Sequence, residues 1–443
     1  MANTNLFESF NPTTPEEWKA QIEKDLRGKS FDTLLSPTLD GVTIEPFYHR
    51  SQTEVSGQPF KASAKWDIVQ ELMVEDAKTA NKQALDHLNR GATSLLFYCY
   101  ADVDLNQLLD GIQIEHIRSN FVVEGDVLVL AENFKSFIKA KGLNENEIAG
   151  SVNIDCLESI ARTGKWIESE TSDFDRIKNL NDALPENIKS LCINANLFGN
   201  AGATLSQQLG ISLSMMYEYI HRLELKSTQN FWINFAIGSD YFGEIAKLRA
   251  FRRLFSQLSE ELGLAQTEAF IYAETSLRNK TILDAYNNMI RTTSESMAAA
   301  IGGANEISVK GFNHTFKEAD FFGERVAKNQ QSILEHESHV NAVNDISKGS
   351  YFIETLTEEL AAKGWAFFKE IEKHGGYVEA VKAGWLQEQV ELSAEAEQKA
   401  FDAQETVLIG ANKHAKKDEK LKEIIEHGMF AAKDKETEIK RIV

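Results

Sequence analysis

Residues 268–312 read EAFIYAETSLRNKTILDAYNNMIRTTSESMAAAIGGANEISVKGF. The stretch opens on an apolar run rich in aromatic and β-branched residues (268–275) and closes on the alternating EISVKGF (306–312). Both are strand signals. Between them Leu283, Tyr286, Ile290, Met297 and Ile301 keep the three-four spacing of a buried helical stripe. Gly302 and Gly303 stand where that helix must stop, because glycine accepts the left-handed backbone of a helix C-terminus. Strand, helix and strand in that order form a βαβ unit, whose two strands run parallel. The glycines leave one oddity: the helix opens on YNNMIRTT, which is polar and poor in strong helix formers.

The same alternation extends upstream. Apolar segments at 94–100 (SLLFYCY), 117–123 (IRSNFVV), 149–155 (AGSVNID), 190–198 (SLCINANLF) and 230–237 (NFWINFAI) read as strands. Long amphipathic segments fall among them: VLVLAENFKSFIKA, LSQQLGISLSMMYEYIHRL and YFGEIAKLRAFRRLFSQLSEEL. Seven strands, with a weaker eighth near 340–353, imply an α/β protein built on a closed (β/α)8 TIM barrel. An open doubly wound sheet is the alternative, although no GxGxxG turn marks a dinucleotide crevice. Ahead of the repeat, TPEEWKAQIEKDLRG reads as a helix capped by Thr14 with Pro15 at its first position. Its Trp18, Ile22 and Leu26 make one apolar stripe on a charged helix, which this chain's body or a partner must cover. The chain thus divides into an N-terminal helical arm (1–45), the barrel (46–392) and a charged helical C-terminal extension (393–443).

Composition narrows the function. The 443 residues are 42% hydrophobic and 26% charged, as expected of a soluble globular protein, with no apolar run long enough to span a bilayer. A net charge of -20 opposes phosphate backbones, and the one basic cluster, NKHAKKDEKLKE (412–423), is interleaved with acids, so neither nucleic acid nor membrane is expected as a partner. MANTNLFESFNPTTPEEW has neither the basic flank nor the apolar core of a signal peptide, which points to the cytoplasm. Cys99, Cys156 and Cys192 stand singly in apolar segments and read as buried, inert thiols.

Local motifs for chemistry are few. The chain lacks HExxH, a P-loop and GxSxG. His336 and His339, in LEHESHV beside Glu335 and Glu337, have helical spacing for a metal, but no supporting ligand falls at a suitable distance, and a polar helix end is the simpler reading. Asp155 and Glu274, at strand ends, are candidate general acids or bases if the barrel is open at the top.

Longer motifs say more. Asn287-Asn288, Arg291-Thr292-Thr293, Gly302-Gly303, the spaced Arg325, Ala327, Asn329 and Gln331, Glu337-Ser338-His339 and Gly349-Ser350-Tyr351 follow one another in an order that resembles the barrel of methylmalonyl-CoA mutases. EIAKLRAFRRLF (244–255), NAGATLSQQLG (200–210), TPEEWKAQIEKDLRGKSFDTL and VLIGANKH extend the likeness over nearly the whole chain. In that family the acyl-CoA threads the barrel, and adenosylcobalamin caps it from a further domain whose Asp-x-His-x-x-Gly histidine ligates cobalt. The resemblance places the polar start of the quoted helix near the substrate end.

Departures from the active pattern fall on the reacting positions. Where active chains have Trp-Thr-Ile-Arg-Gln-Tyr, this one has WDIVQE (66–71), with Val69 for the Arg and Glu71 for the Tyr. Their Tyr-His before Glu-Ala-Gly-Ala becomes Asn196 and Leu197 ahead of NAGA, and their Gln-Thr-Ser-Gly becomes ETSL (274–277), with Glu274 for the Gln. An Arg-x-Ser of the CoA path appears as NFW (230–232). Leucine cannot donate to a thioester carbonyl, and a carboxylate at the Tyr position repels an anionic substrate. The resemblance therefore implies a small, non-catalytic subunit in a short form, with no catalytic residue, no metal and no cofactor of its own. Its partner would be a catalytic large subunit carrying adenosylcobalamin, contacted by the arm through Trp18, Ile22 and Leu26. Two alternatives stay open: a free-standing acyl-CoA-binding barrel, and an active mutase subunit served by a cobalamin domain on a separate chain.

Overall fold

A computed structural model describes residues 13–53, 55, 63–317 and 320–416. Expectations for the ends of the arm and of the C-terminal extension, residues 1–12 and 417–443, lie outside the described residues. Among the described residues no helix is long and apolar enough to cross a membrane.

Eight parallel strands close a barrel: β1 (Asp67–Met73), β2 (Ser94–Tyr100), β3 (Arg118–Glu124), β4 (Ala149–Asn153), β5 (Ile188–Lys189 continued by Leu191–Asn194), β6 (Phe231–Ile237), β7 (Ile271–Thr275) and β8 (Glu306–Ser308). Closure depends on β5, which breaks at Ser190. Its first half pairs with β4 (Ser151 opposite Lys189) and its second with β6 (Ile193 opposite Ile233). At the other seam β8 pairs with β1, Ile307 opposite Ile68. Outward residues such as Ile68, Phe97, Phe121, Ile193, Phe235 and Ile307 join the helices in one large apolar core. Inward residues Val69, Leu96, Cys192, Trp232 and Tyr272 form a second, separate one. Two faces of alternating character are what a closed barrel requires of every strand.

Six of the strand segments read from the sequence coincide in place with β2 to β4 and β6 to β8, and 190–198 holds the second half of β5. The eighth is not near 340–353, where a 3-10 turn (Val340–Ala342) leads to the helix Tyr351–Lys373. It is β1, ahead of the others. Gln70 and Glu71 interrupt its apolar run, because Glu71 faces the bore and serves a charged cluster there, so the segment carries little of a strand's hydrophobic signal.

The helices Val127–Lys141, Leu205–Arg222 and Tyr241–Glu261 stand where periodicity puts them. The helix of the opening stretch is shorter, Asn287–Gly302, and its expected stripe holds only at the C-terminal end, where Met297 and Ile301 pack on the core. Tyr286 is 68% exposed and Ile290 71% exposed. The buried face is instead Asn288, Thr292, Glu295, Ser296 and Ala298 to Ala300. Polar groups are buried there because they bind backbone and charge: Asn288 Nδ2 donates to the carbonyls of Thr281 (2.8 Å) and Phe312 (3.0 Å), and Lys280 pairs with Glu295 at 2.7 Å. That network explains the polar start. The two glycines do different work. A Cβ on Gly302 would lie 3.1 Å from Leu248 Cδ1, so its absence lets two helices touch, whereas Gly303 (φ 89°) adopts the left-handed cap.

The arm helix is Pro15–Asp25, closed by a reciprocal cap: Glu17 N–H donates to Thr14 Oγ1 (3.2 Å) and Thr14 N–H to Glu17 Oε2 (2.9 Å). Trp18 packs on Phe47 with the rings tilted and their centres 4.7 Å apart, and Lys19 pairs with Glu45 at 3.0 Å. Even so, no residue of this helix is fully buried; Trp18, Ile22 and Leu26 stay partly exposed. After the barrel, Tyr351–Lys373, Tyr377–Lys382 and Trp385–Asp402 continue the chain as helices, and Phe352 of the first of them packs on Tyr48 at 5.4 Å.

Candidate functional site

In a parallel barrel, chemistry belongs to the C-terminal ends of the strands. Here those ends close over a packed bore. At its base the buried Glu306 accepts from Ser94 Oγ (2.6 Å), Asn120 Nδ2 (2.7 Å) and Trp232 Nε1 (3.2 Å), while the Arg118 guanidinium lies 4.2 Å from the centre of the Phe270 ring. Above it Trp232, 1% exposed, packs on Tyr272 at 4.6 Å. At the mouth stands an ion cluster. Lys310 Nζ donates to both oxygens of Glu71 at 2.7 Å and lies 3.4 Å from Glu274 Oε2. Ser308 Oγ (2.5 Å), Tyr272 OH (3.1 Å) and Tyr98 OH (3.2 Å) also donate to Glu71, and Asn196 Nδ2 donates to Glu274 Oε1 at 2.9 Å.

The electrostatics follow from this geometry. Burial by itself would raise the Glu71 carboxyl, but the Lys310 charge and the hydrogen bonds from Lys310 and Ser308 outweigh it and hold the group at about 2. Lys310 is pushed down by burial and lifted further by Glu274 and Glu71, so it stays an ammonium. Burial, followed by the Glu71 charge, raises both tyrosines, which remain phenols. Two carboxylates and one ammonium are thus locked together across the mouth.

The structure unites three of the residues singled out from sequence: Glu71, Glu274 and Asn196 share this cluster. Leu197 stands beside Asn196 in the short helix Asn196–Ala201 and packs, partly buried, on the outer core. Asp155 is elsewhere. It caps the helix Cys156–Thr163, accepts from the N–H of Leu157 and Asn194 and from Tyr219 OH (2.8 Å), and burial raises it to about 6 against those bonds. It is a helix cap and has no contact with the Glu71 cluster. The His336 side chain is 72% exposed and 3.8 Å from Glu335. His339 has a left-handed backbone (φ 53°). Among the described residues no group of three or more His, Cys, Asp or Glu side chains could hold a metal ion. All three cysteines are buried and free, and burial pushes the Cys99 thiol up to about 12.

Lys310, Tyr98, Tyr272 and Glu306 were not legible as site residues, whereas Trp232 falls in the NFW stretch that stands for the family's Arg-x-Ser. A signal existed for some: in EISVKGF, Glu306, Ser308 and Lys310 alternate with Ile307 and Val309, which sets them on the bore side of the last strand.

A family model described as Methylmalonyl-CoA mutase matches residues 98–442. The chain is 33% identical to the methylmalonyl-CoA mutase small subunit of Porphyromonas gingivalis, an alignment covering 92% of this chain and 70% of the relative. It is 30% identical to the small subunit of the same name from Streptomyces virginiae, over 87% of this chain and 68% of the relative. It is 26% identical to the mitochondrial methylmalonyl-CoA mutase of Homo sapiens, over 95% of this chain and 63% of that protein.

Proposed function

Because the chain belongs to the methylmalonyl-CoA mutase family, we propose that it is the non-catalytic small subunit of a heterodimeric, adenosylcobalamin-dependent enzyme that interconverts methylmalonyl-CoA and succinyl-CoA. The observation that carries this reading is the Glu71–Lys310–Glu274 cluster, which fills the mouth of a bore already packed by Trp232 and Tyr272. In the family an acyl chain occupies that space. Opening it here would mean separating a desolvated ammonium from two carboxylates, a loss that no acyl group compensates. The positions that would polarise a thioester carry Asn196 and Leu197, and a leucine side chain has no proton to donate.

In this reading adenosylcobalamin sits in the large subunit, where it supplies the radical that starts the rearrangement. The residues at this chain's barrel mouth do not fit the reacting acyl group, so no step is assigned to them. The small subunit contributes an interface and stabilises the catalytic chain. Purified alone and supplied with adenosylcobalamin and methylmalonyl-CoA, the chain is expected to form no succinyl-CoA above background. Co-expressed with the large mutase subunit of its own organism, it is expected to co-purify with it as an active complex. Turnover by the chain alone would overturn the reading in favour of an active subunit, and failure to co-purify would favour a free-standing barrel.

A further inference from the structure

Tyr286 and Ile290, exposed at the start of the helix Asn287–Gly302, belong to a larger apolar face on the rim of the barrel mouth. Tyr286 stacks on Phe312 with ring centres 5.3 Å apart, and Phe312 meets the exposed Phe322 edge-on at 5.9 Å. Phe312 follows β8, and Phe322 belongs to the first turn of the next helix, Phe321–His336, so these rings line the rim beside the C-terminal ends of β7 and β8. Ile290 stands one turn along from Tyr286 on the same side of its helix. Exposed apolar residues scattered singly need no explanation, but a contiguous group of this kind marks a surface that something covers.

The chain itself returns to this face after its last helix. Arg291 Nη2 donates to the Ile409 carbonyl at 2.6 Å, and Gly410 passes so close that a Cβ there would lie 3.0 Å from Asp284 Cβ. A tight turn, in which Gly410 N–H donates to Lys413 O (2.8 Å) and Asn412 Nδ2 to Thr406 O (2.7 Å), holds residues 406–413 against the first turns of the helix Asn287–Gly302. Residues 417–443 continue from there, outside the described residues. In their sequence Leu421, Ile424 and Ile425 keep the three-four spacing of an apolar stripe among charged neighbours. Leu421 is eleven residues past Gly410, a tether that spans at most roughly 36 Å and so keeps the stripe within reach of the face. A segment tethered in this way meets its site at an effective concentration on the order of millimolar, an advantage that no free partner has. We propose that the apolar rim is the docking site of the chain's own C-terminal segment, with Leu421, Ile424 and Ile425 set against Tyr286, Ile290 and Phe322. Seated there, the segment covers the mouth from the β7–β8 side, and a partner approaching that side must displace it. The inference requires this chain alone and stands independently of the subunit reading.

The test is disulfide trapping in the full chain, where Cys99, Cys156 and Cys192 are all buried and introduced thiols can be read alone. Ile290→Cys is combined in turn with Leu421→Cys, Ile424→Cys and Ile425→Cys under mild oxidation. Ile167→Cys, at an exposed position between β4 and β5 on the opposite wall, replaces Ile290→Cys as the control. At least one pair should close a disulfide within a single chain, by intact mass, roughly tenfold faster than its control. A second readout needs no cysteine. Iodination of Tyr286 should accelerate severalfold when residues 417–443 are deleted, and likewise in the full chain carrying Leu421→Ser, Ile424→Ser and Ile425→Ser, with the exposed Tyr100 as internal reference. Disulfides that form only between two chains would give the face to a second copy and overturn the proposal. Crosslinking within the chain no faster than the control, or a Tyr286 rate indifferent to the deletion, would each overturn it as well.

Discussion

Lys310 is the residue on which the bore depends. Its ammonium is shared by Glu71 and Glu274, so removing it leaves two carboxylates facing each other in a desolvated space. Lys310→Met is expected to destabilise the chain by about 3–5 kcal/mol, the usual cost of breaking a buried pair from one side. Adding Glu71→Gln should recover part of that loss; urea unfolding of the two single variants and the double variant gives the coupling directly. The pH dependence has a definite sign. Glu71 is held at about 2 in the folded chain, by Lys310 and Ser308 acting against burial, while an unfolded glutamate titrates near about 4.3. Its ionised form therefore stabilises the fold above about pH 4.3, and that contribution is lost as pH falls toward 2. The stability gap between wild type and Glu71→Gln should be widest at neutral pH and shrink steadily through that window. A gap that stays constant with pH would mean that Glu71 is not ionised in the folded state.

At the level of elements, much was legible and the failures have physical causes. Strands β2 to β4 and β6 to β8 announce themselves because their outward faces carry Leu, Phe, Val and Ile, and a βαβ order leaves few topologies open. Strand β1 escaped because two of its central residues, Gln70 and Glu71, are polar. The first turns of the helix Asn287–Gly302 were assigned the wrong buried face for a related reason: their inner side carries Asn288, Thr292 and Glu295, which bind backbone and a lysine, while Tyr286 and Ile290 are exposed. Periodicity detects apolar burial and misses buried hydrogen-bond networks. Within the site, family resemblance identified Glu71, Asn196 and Glu274, yet Lys310, the partner of both carboxylates, lies beyond the end of β8 and was not seen. The glycine pair supplies an element-scale prediction. Gly303→Val should cost more than Gly303→Asn, since asparagine tolerates the left-handed cap and a β-branched residue does not. Gly302→Ala should destabilise by crowding Leu248, and thermal melts of the three variants would rank them.

The whole molecule is a barrel of the mutase family with a packed bore, and in the proposed function its task is association. The arm is the feature best placed for that task. Trp18 rests on Phe47, but Trp18, Ile22 and Leu26 together remain only partly covered by their own chain. Large-to-small changes at apolar anchors typically cost about 2–5 kcal/mol where they are fully buried. Trp18→Ala with Leu26→Ala should therefore weaken subunit association much more than it lowers the melting temperature of the isolated chain. The most direct measurement is sedimentation velocity of this chain, the catalytic large subunit and their mixture at micromolar concentration. A single one-to-one complex is expected in the mixture, lost or weakened by the Trp18/Leu26 double variant; two species sedimenting independently would contradict a subunit role.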